Sequence, residues 1–388
     1  MNRIACKIAL GVACTLMWVL PAAAADPGIK DDEIVVGAIM PFTGPAGALG
    51  YGAFLGERIA IEEANAAGGV NGRKITVIAE DDEYVPARTV QAFNKLMEVD
   101  QIFALIAGSG SSHWLAIMPT LEAEGIPNIN PLLASMKPFE AGPTTHFGIG
   151  TSYRDGANEV MEIMAKRNPN LKWASIVQED ESGIDREVGF NEAAKNLGLE
   201  VVAQMRVNRT QTDFSAEVLR MQQAGATGVF IGGLPTLDAG VLKEIRKLDM
   251  KAKVATLWLS HNEASLNLLR EDAGDLVLYD FVPSMTDPKL DHFHALAKAH
   301  LSTEDQGRIN RYSVTGYATM KAFIEAMNRC GRDLSRACAL AELNKLTDFD
   351  TGVMGKITWR PDSHLAPVAG APLVIDAKAG RFVPLAAD

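Results

Sequence analysis

Along the first two thirds of the chain, short apolar runs of strand length alternate with segments whose apolar residues return at helical spacing. Residues 33–40, 74–80, 102–107 and 126–130 predict strands, and residues 51–67, 86–99 and 112–124 predict the helices between them. A second series repeats the rhythm, with helices at 153–166, 184–197, 213–224 and 236–248 and strands at 173–177, 199–207, 228–231 and 253–257. Glycine and proline mark the joins. Such alternation is the signature of parallel α/β layers, so each series predicts one doubly wound parallel-sheet lobe. The pattern then changes. Residues 287–301 and 313–329 predict long helices, and 355–359 and 372–375 predict isolated strands. These pieces make sense as late additions to lobes already built, which requires the chain to cross between them more than once.

The amino terminus changes the picture of where the protein works. Arg3 and Lys7 precede an apolar run over residues 8–20, and small residues at 22–25 precede Asp26. Residues 1–25 therefore predict a cleaved secretory signal peptide, too short to span a bilayer. The mature chain is expected in an oxidising compartment such as a bacterial periplasm. Net charge is −11 with no basic stripe, which argues against nucleic acid and anionic membranes as partners and fits a monomer. Cys6 and Cys14 fall in the leader, leaving Cys330 and Cys338, whose spacing across a Gly-Arg-Asp turn predicts a disulfide. No metal or cofactor is expected: two thiols lack a nearby histidine, and His292, His294 and His300 do not share a helix face.

In open α/β sheets, ligands sit where loops leave the carboxyl ends of the strands. Three such loops stand out. Residues 41–51 carry Gly44, Gly47 and Gly50, but not in the spacing of a dinucleotide turn, and the acidic run Glu80-Asp81-Asp82 at the next strand end reads as a solvated loop. Gly108-Ser109-Gly110-Ser111-Ser112 precedes a helix, where amides and hydroxyls make an anion site, with Ser111 or Ser112 also capping the helix. A nucleophilic serine is disfavoured, because the spacing is not that of a nucleophile elbow and His113 points elsewhere. The third loop, Asn130-Pro131-Leu132-Leu133-Ala134-Ser135, flanks whatever the serines hold.

Pro41-Phe42-Thr43-Gly44-Pro45, Glu63-Ala64-Asn65 running into Gly68-Gly69-Val70-Asn71-Gly72-Arg73, Asp81-Asp82 and the later Asp213-Phe214-Ser215 occur together in one order. In this the chain resembles the periplasmic leucine/isoleucine/valine-binding family of ABC-transporter receptors over nearly its whole mature length. The resemblance implies two α/β lobes joined by a three-strand hinge. Lobe 1 is then residues 33–148 plus 282–354, lobe 2 residues 149–281 plus 355–388, with hinge segments near 148–152 and 279–282. It also implies a carboxylate held at Ser111 and Ser112 and at Leu132, Leu133 and Ala134, where a family threonine is replaced by Ala134 with Ser135 beside it as a substitute hydroxyl.

The departures from the family matter more. Its acidic residue for the ligand's amino group falls on or near Leu259, with Glu263 and Glu181 as alternatives under a shifted register. Its pocket aromatics are replaced at Leu49 and at Leu234, leaving Tyr153 and Trp258 as platforms, and its first-lobe cysteines are replaced by Tyr84 and Gly110. A buried ammonium without an acceptor loses affinity by a factor on the order of a thousand. The expectation is a small-molecule carboxylate, or less favourably an amino acid, held on Ser111 and Ser112, covered from the second lobe through Tyr153, Ser182 and Leu234, and passed to an inner-membrane ABC permease. A sensory module presenting its ligand to a receptor kinase is the alternative; an enzyme is disfavoured for want of a catalytic constellation.

Overall fold

The computed structural model describes residues 25–386, apart from 107, 131, 133, 140–144 and 270. The expected leader, residues 1–25, lies outside the described residues except for Ala25, and so does Leu133 of the expected site.

The first series forms β1 (Glu33–Met40), α1 (Gly47–Ala66), β2 (Lys74–Asp81), α2 (Pro86–Glu98), β3 (Ala104–Ile106), α3 (Ser111–Ala123), β4 (Asn128–Ile129) and β5 (His146–Ile149). The second forms α4 (Tyr153–Arg167), β6 (Lys172–Gln178), α5 (Glu181–Leu197), β7 (Glu200–Val207), α6 (Ser215–Gln223), β8 (Gly228–Gly232), α7 (Pro235–Lys247), β9 (Lys253–Leu257), α8 (Glu263–Leu269) and β10 (Leu276–Asp280). There follow α9 (Asp291–His300), α10 (Thr303–Gln306), α11 (Arg311–Arg329), α12 (Arg336–Leu343), β11 (Phe349–Asp350), β12 (Lys356–Ile357), β13 (Leu365–Ala366), β14 (Ala371–Asp376) and β15 (Arg381–Pro384).

Two main sheets result. The order of the first is β13-β5-β4-β3-β1-β2, parallel throughout, and of the second β15-β14-β10-β9-β8-β6-β7, parallel except for its last two strands. In each, the first strand of the series lies between the second and the third, so the loops after β1 and β3, and after β6 and β8, open at a point where strand order reverses. The central strands are buried on both faces, as the near-continuous apolar runs of β1 and β8 require.

The chain passes between the sheets after β5, after β10 and again between β13 and β14. The first two passages fall in the expected hinge segments. The third does not fall at residue 355: Leu365–Ala366 pairs with Gly148–Ile149, so the segment up to β13 stays with the first sheet, and the return is made by residues 367–370. Two-residue strands carry no periodicity, which is why the sequence placed this boundary wrongly. The expected helix at 287–301 is also shorter, a single 3-10 turn over Pro288–Leu290 leading into α9.

α11 seals the first sheet against α1, and two glycines set the closeness of that crossing: a β-carbon at Gly56 would lie 1.9 Å from the Ser313 carbonyl oxygen, and one at Gly316 would lie 2.1 Å from that of Ala53. The helix pair packs backbone to backbone, and any larger residue would force it apart. Cys330 and Cys338 form the expected disulfide, closing the corner between α11 and α12. No described helix is long and apolar enough to cross a membrane.

Candidate ligand-binding site

The loops at the two reversal points face each other across a narrow cavity. From the first sheet its lining takes Leu49, Tyr84, Ser109, Gly110, Leu132 and Ala134; from the second-sheet side Tyr153, Ser182, Leu234, Trp258 and Leu259; and from the passages Ile149, Phe281, Arg311 and Tyr312. The free space between them is about 20 Å³, room for about one water molecule. Beside it, Phe42, Tyr51, Asn262, Glu263, Arg308 and Asn310 border a wider opening of about 420 Å³.

Eight of the expected site residues are thus brought together: Leu49, Leu132, Ala134, Tyr153, Ser182, Leu234, Trp258 and Leu259. Ser111 and Ser135 are buried beside the lining without forming part of it, and Ser112 is only half-buried on the first turn of α3. The expected cap on α3 is corrected. Gly110, not a serine, holds the N-cap position with φ +90°, and no side chain bonds to the first turn. The His113 amide donates to the Gly110 carbonyl at 3.1 Å and that of Trp114 to the same oxygen at 3.3 Å, which leaves the amides of Ser111 and Ser112 without a partner among the described residues and open to an acceptor. Gly108 explains the shape of the loop: at φ +140° its missing side chain leaves the room that Trp114 fills, a β-carbon there falling 1.7 Å from the indole.

The acidic run after β2 is not the solvated loop that its composition suggests. Asp81 accepts from the Phe42 amide at 3.0 Å and the Thr43 hydroxyl at 2.7 Å, tying down the β1–α1 loop. Asp82 is buried, accepting from the Tyr84 amide at 2.9 Å and the Thr89 hydroxyl at 2.7 Å. Those bonds hold Tyr84 at φ +61°, a conformation unfavourable for an aromatic residue, so that its ring meets the cavity. It stacks on His113 at 4.6 Å, and Arg209 from beyond β7 covers it at 4.8 Å. Sequence reasoning noted Tyr84 only as a replaced cysteine; the one local signal was the aspartate two residues before it.

An aromatic wall forms the second-sheet side. Tyr153 stacks on Trp258 with ring centroids 5.4 Å apart, and Trp258 meets the edge of Phe281 at 4.9 Å. A guanidinium closes each end: Arg186 lies 3.7 Å over Tyr153, and Arg311 lies 5.0 Å from Phe281. Arg311 is neutralised. Its Nε and Nη2 each donate to Asp280 at 2.7 Å, and His261 bonds the same carboxylate. Burial opposes ionisation of Asp280, but Arg311 and His261 together hold its carboxyl below the ordinary range. Since Asp280 ends β10 and Arg311 begins α11, this ion pair fastens the second sheet to the helix layer of the first. The Tyr312 hydroxyl adds a bond to the Leu259 carbonyl at 2.8 Å.

No aspartate or glutamate lines the inner cavity among the described residues. Leu259 does line it, Glu263 faces the wider opening instead, and Glu181 sits 3.7 Å from Lys137. Asp238 is buried behind the wall, accepting from Thr256 at 3.1 Å and from Ser260, and desolvation pushes its carboxyl up to about 7 despite those bonds.

Three buried groups contribute to how stability varies between pH 4 and 7. Burial holds His113 down at about 4 and His146 at about 3, so each contributes stability that is complete above the free imidazole value and lost as pH falls. Asp238, raised to about 7, works the other way, contributing at low pH and losing that contribution as pH rises through 7. Below pH 6.5 the unfolded chain gains two protons at the histidines while the native chain gains one at Asp238. Stability is therefore expected to fall by about 1.4 kcal/mol per pH unit, or about 3 kcal/mol between pH 6.5 and 4. Urea midpoints across that range measure it, and Asp238→Asn should about double the slope; a flat profile refutes the assignment.

The periplasmic binding protein family model matches residues 33–378. The amino acid binding protein of Pseudomonas aeruginosa is 26% identical over 337 residues, covering 84% of this chain and 86% of that one. Leu/Ile/Val-binding protein homolog 7 of Brucella abortus is 24% identical over 368 residues, covering 89% and 87%. Among solved structures, a fatty acid ABC transporter substrate-binding protein from Thermomonospora curvata superposes with a TM-score of 0.80 at 18% identity, covering 93% of both chains. A branched chain amino acid ABC transporter from Thermus thermophilus with bound valine also gives 0.80, at 20% identity, covering 92% of this chain and 96% of that one. The α/β architecture is that of these substrate-binding proteins, none of them an enzyme. With its model matched from the first strand into the turn of the last hairpin, the chain belongs to the periplasmic binding protein family.

Proposed function

We infer that this protein binds a small carboxylate without a charged amine in the cavity between its two sheets and delivers it, after export through a cleaved leader, to the permease of an ABC importer. The observation that carries the reading is the lining: Ser109 and Gly110 bring a hydroxyl and the start of α3 to the cavity, and no carboxylate among the described residues lines it to receive an ammonium. The fold does not choose between ligands, since a fatty acid receptor and a valine receptor share it equally. The lining does. The donors at the start of α3 suit an acid group, and Leu49, Leu132, Leu234 and Leu259 suit an apolar body.

Binding works by population shift. A ligand that touches both sheets' loops only when they meet stabilises the closed arrangement by those differential contacts, and the permease reads the closure. Calorimetric titration of the mature protein with 4-methylpentanoate, octanoate and 4-hydroxybenzoate tests the reading. At least one should bind, and Ser111→Ala should weaken it about tenfold, the loss of a hydrogen bond to a charged group. Binding unchanged in Ser111→Ala refutes the assigned anchor.

A further inference from the structure

Behind the second-sheet wall of the cavity lies a buried guanidinium that no carboxylate among the described residues pairs with directly. Arg186 is 1% exposed, yet Nη1 donates only to the Ser182 hydroxyl at 3.0 Å and Nη2 has no hydrogen-bond partner among the described residues. Its neighbours are all paired. Arg206 is bonded to Glu187, Arg209 to Asp180 and Arg311 to Asp280, whereas Arg186 makes no ion pair among the described residues.

The acids near it are committed elsewhere. Burial works against ionisation of Asp180, but the Gly183 amide, the Ser182 hydroxyl and the charges of Arg186 and Arg209 hold it below its usual range. Its oxygens go to Gly183 and Ser182 through Oδ1 and to Arg209 through Oδ2. Asp238 spends its oxygens on Thr256 and Ser260. Asp185 accepts from the Met136 amide. A desolvated guanidinium with an open N–H, attracted by Asp180 and Asp238 only through space and bonded to neither, is costly to keep, and the cost is relieved when an anion arrives. The position is also built. Stacking on Tyr153 and the bond to Ser182, both of which line the cavity, fix the plane of the fork, so little freedom remains to be lost on binding.

We propose that Arg186 supplies the counter-charge for the ligand's acid group, from the side opposite the serine loop. The proposal rests on the reading of the cavity as an acid site and adds which residue distinguishes an acid from its neutral analogue. Donors at the start of α3 accept a carboxylate or a carboxamide oxygen alike; a guanidinium favours the anion. It also gives closure a cause, because the acid completes both sets of contacts only when α3 and α5 approach.

The test pairs each acid with its amide. Octanoate against octanamide, 4-methylpentanoate against 4-methylpentanamide and 4-hydroxybenzoate against its amide are titrated calorimetrically into the wild type, Arg186→Gln, Arg186→Lys and Ser111→Ala. Arg186→Gln is expected to weaken the acids on the order of a hundredfold and the amides by less than about threefold. Arg186→Lys, which keeps the charge but not the fork, should retain the preference for acids at about a tenfold loss and serves should the glutamine variant fail to fold. Ser111→Ala should weaken acid and amide together. If Arg186→Gln lowers acids and amides equally, or leaves the acids unchanged, Arg186 is only part of the wall and the proposal fails while the acid site stands. If the wild type binds none of the acids, the reading beneath it fails and the proposal falls with it.

Discussion

Asp280→Asn is expected to lower the stability of the mature protein by about 3–5 kcal/mol at neutral pH, the range for breaking one partner out of a buried ion pair. Asp280 is 3% exposed and Arg311 2%, and the substitution leaves the guanidinium facing an amide that cannot neutralise it, with His261 losing the same partner. The loss should appear as a shifted urea midpoint with little change in slope. Arg311→Met alone should be comparably damaging. The double variant should recover part of the deficit, because it removes both charges together. A single-variant loss below about 1 kcal/mol would show that the pair does not fasten β10 to α11 as its geometry indicates.

The second large effect concerns which molecules the cavity refuses. Leucine and 4-methylpentanoate share a carboxylate and a branched chain and differ in the ammonium. The aspartates packed behind the inner cavity are occupied, Asp280 by Arg311 and His261, Asp180 by Arg209 and its own helix start, Asp238 by Thr256 and Ser260, and Glu263 borders only the wider opening. An ammonium entering here sheds its water and finds aliphatic and aromatic carbon at Leu259 and Trp258. Leucine is therefore expected to bind on the order of a thousandfold more weakly than 4-methylpentanoate. Leu259→Glu should narrow that gap by placing an acceptor in the lining. Nanomolar leucine binding by the wild type would overturn the assignment.

How much of this was legible in the chain can be argued element by element. The strands β1, β2, β6, β7, β8 and β9 and the helices α1, α2, α5, α6 and α7 announced themselves through apolar runs and helical periods, while α8 did not. The two α/β series therefore follow from periodicity, and the strand order that sets their reversal points comes from the sheets themselves. Leu132 and Ala134 were reachable because they lie at a strand end, where an open α/β sheet gathers its loops, whereas Tyr153, Ser182, Leu234, Trp258 and Leu259 were reached through the family resemblance. The short strands β5 and β13 were harder. Two to four residues hold too little pattern to register, and the third passage between the sheets was misplaced for that reason.

The residues that make the cavity unusual came from tertiary structure alone. Nothing local marks Arg186 on α5 as unpaired, because pairing depends on how the acids at the start of α5 and on α7 are placed around it. Nor does the sequence bring Asp280 and Arg311 together across 31 positions. Apolar periodicity records which face of each element avoids water, and that is a property of the segment itself. Whether a buried charge finds a partner is a property of the packed layers, so the scaffold was determined by the sequence pattern and the charge balance of the site was decided only when the two sheets met.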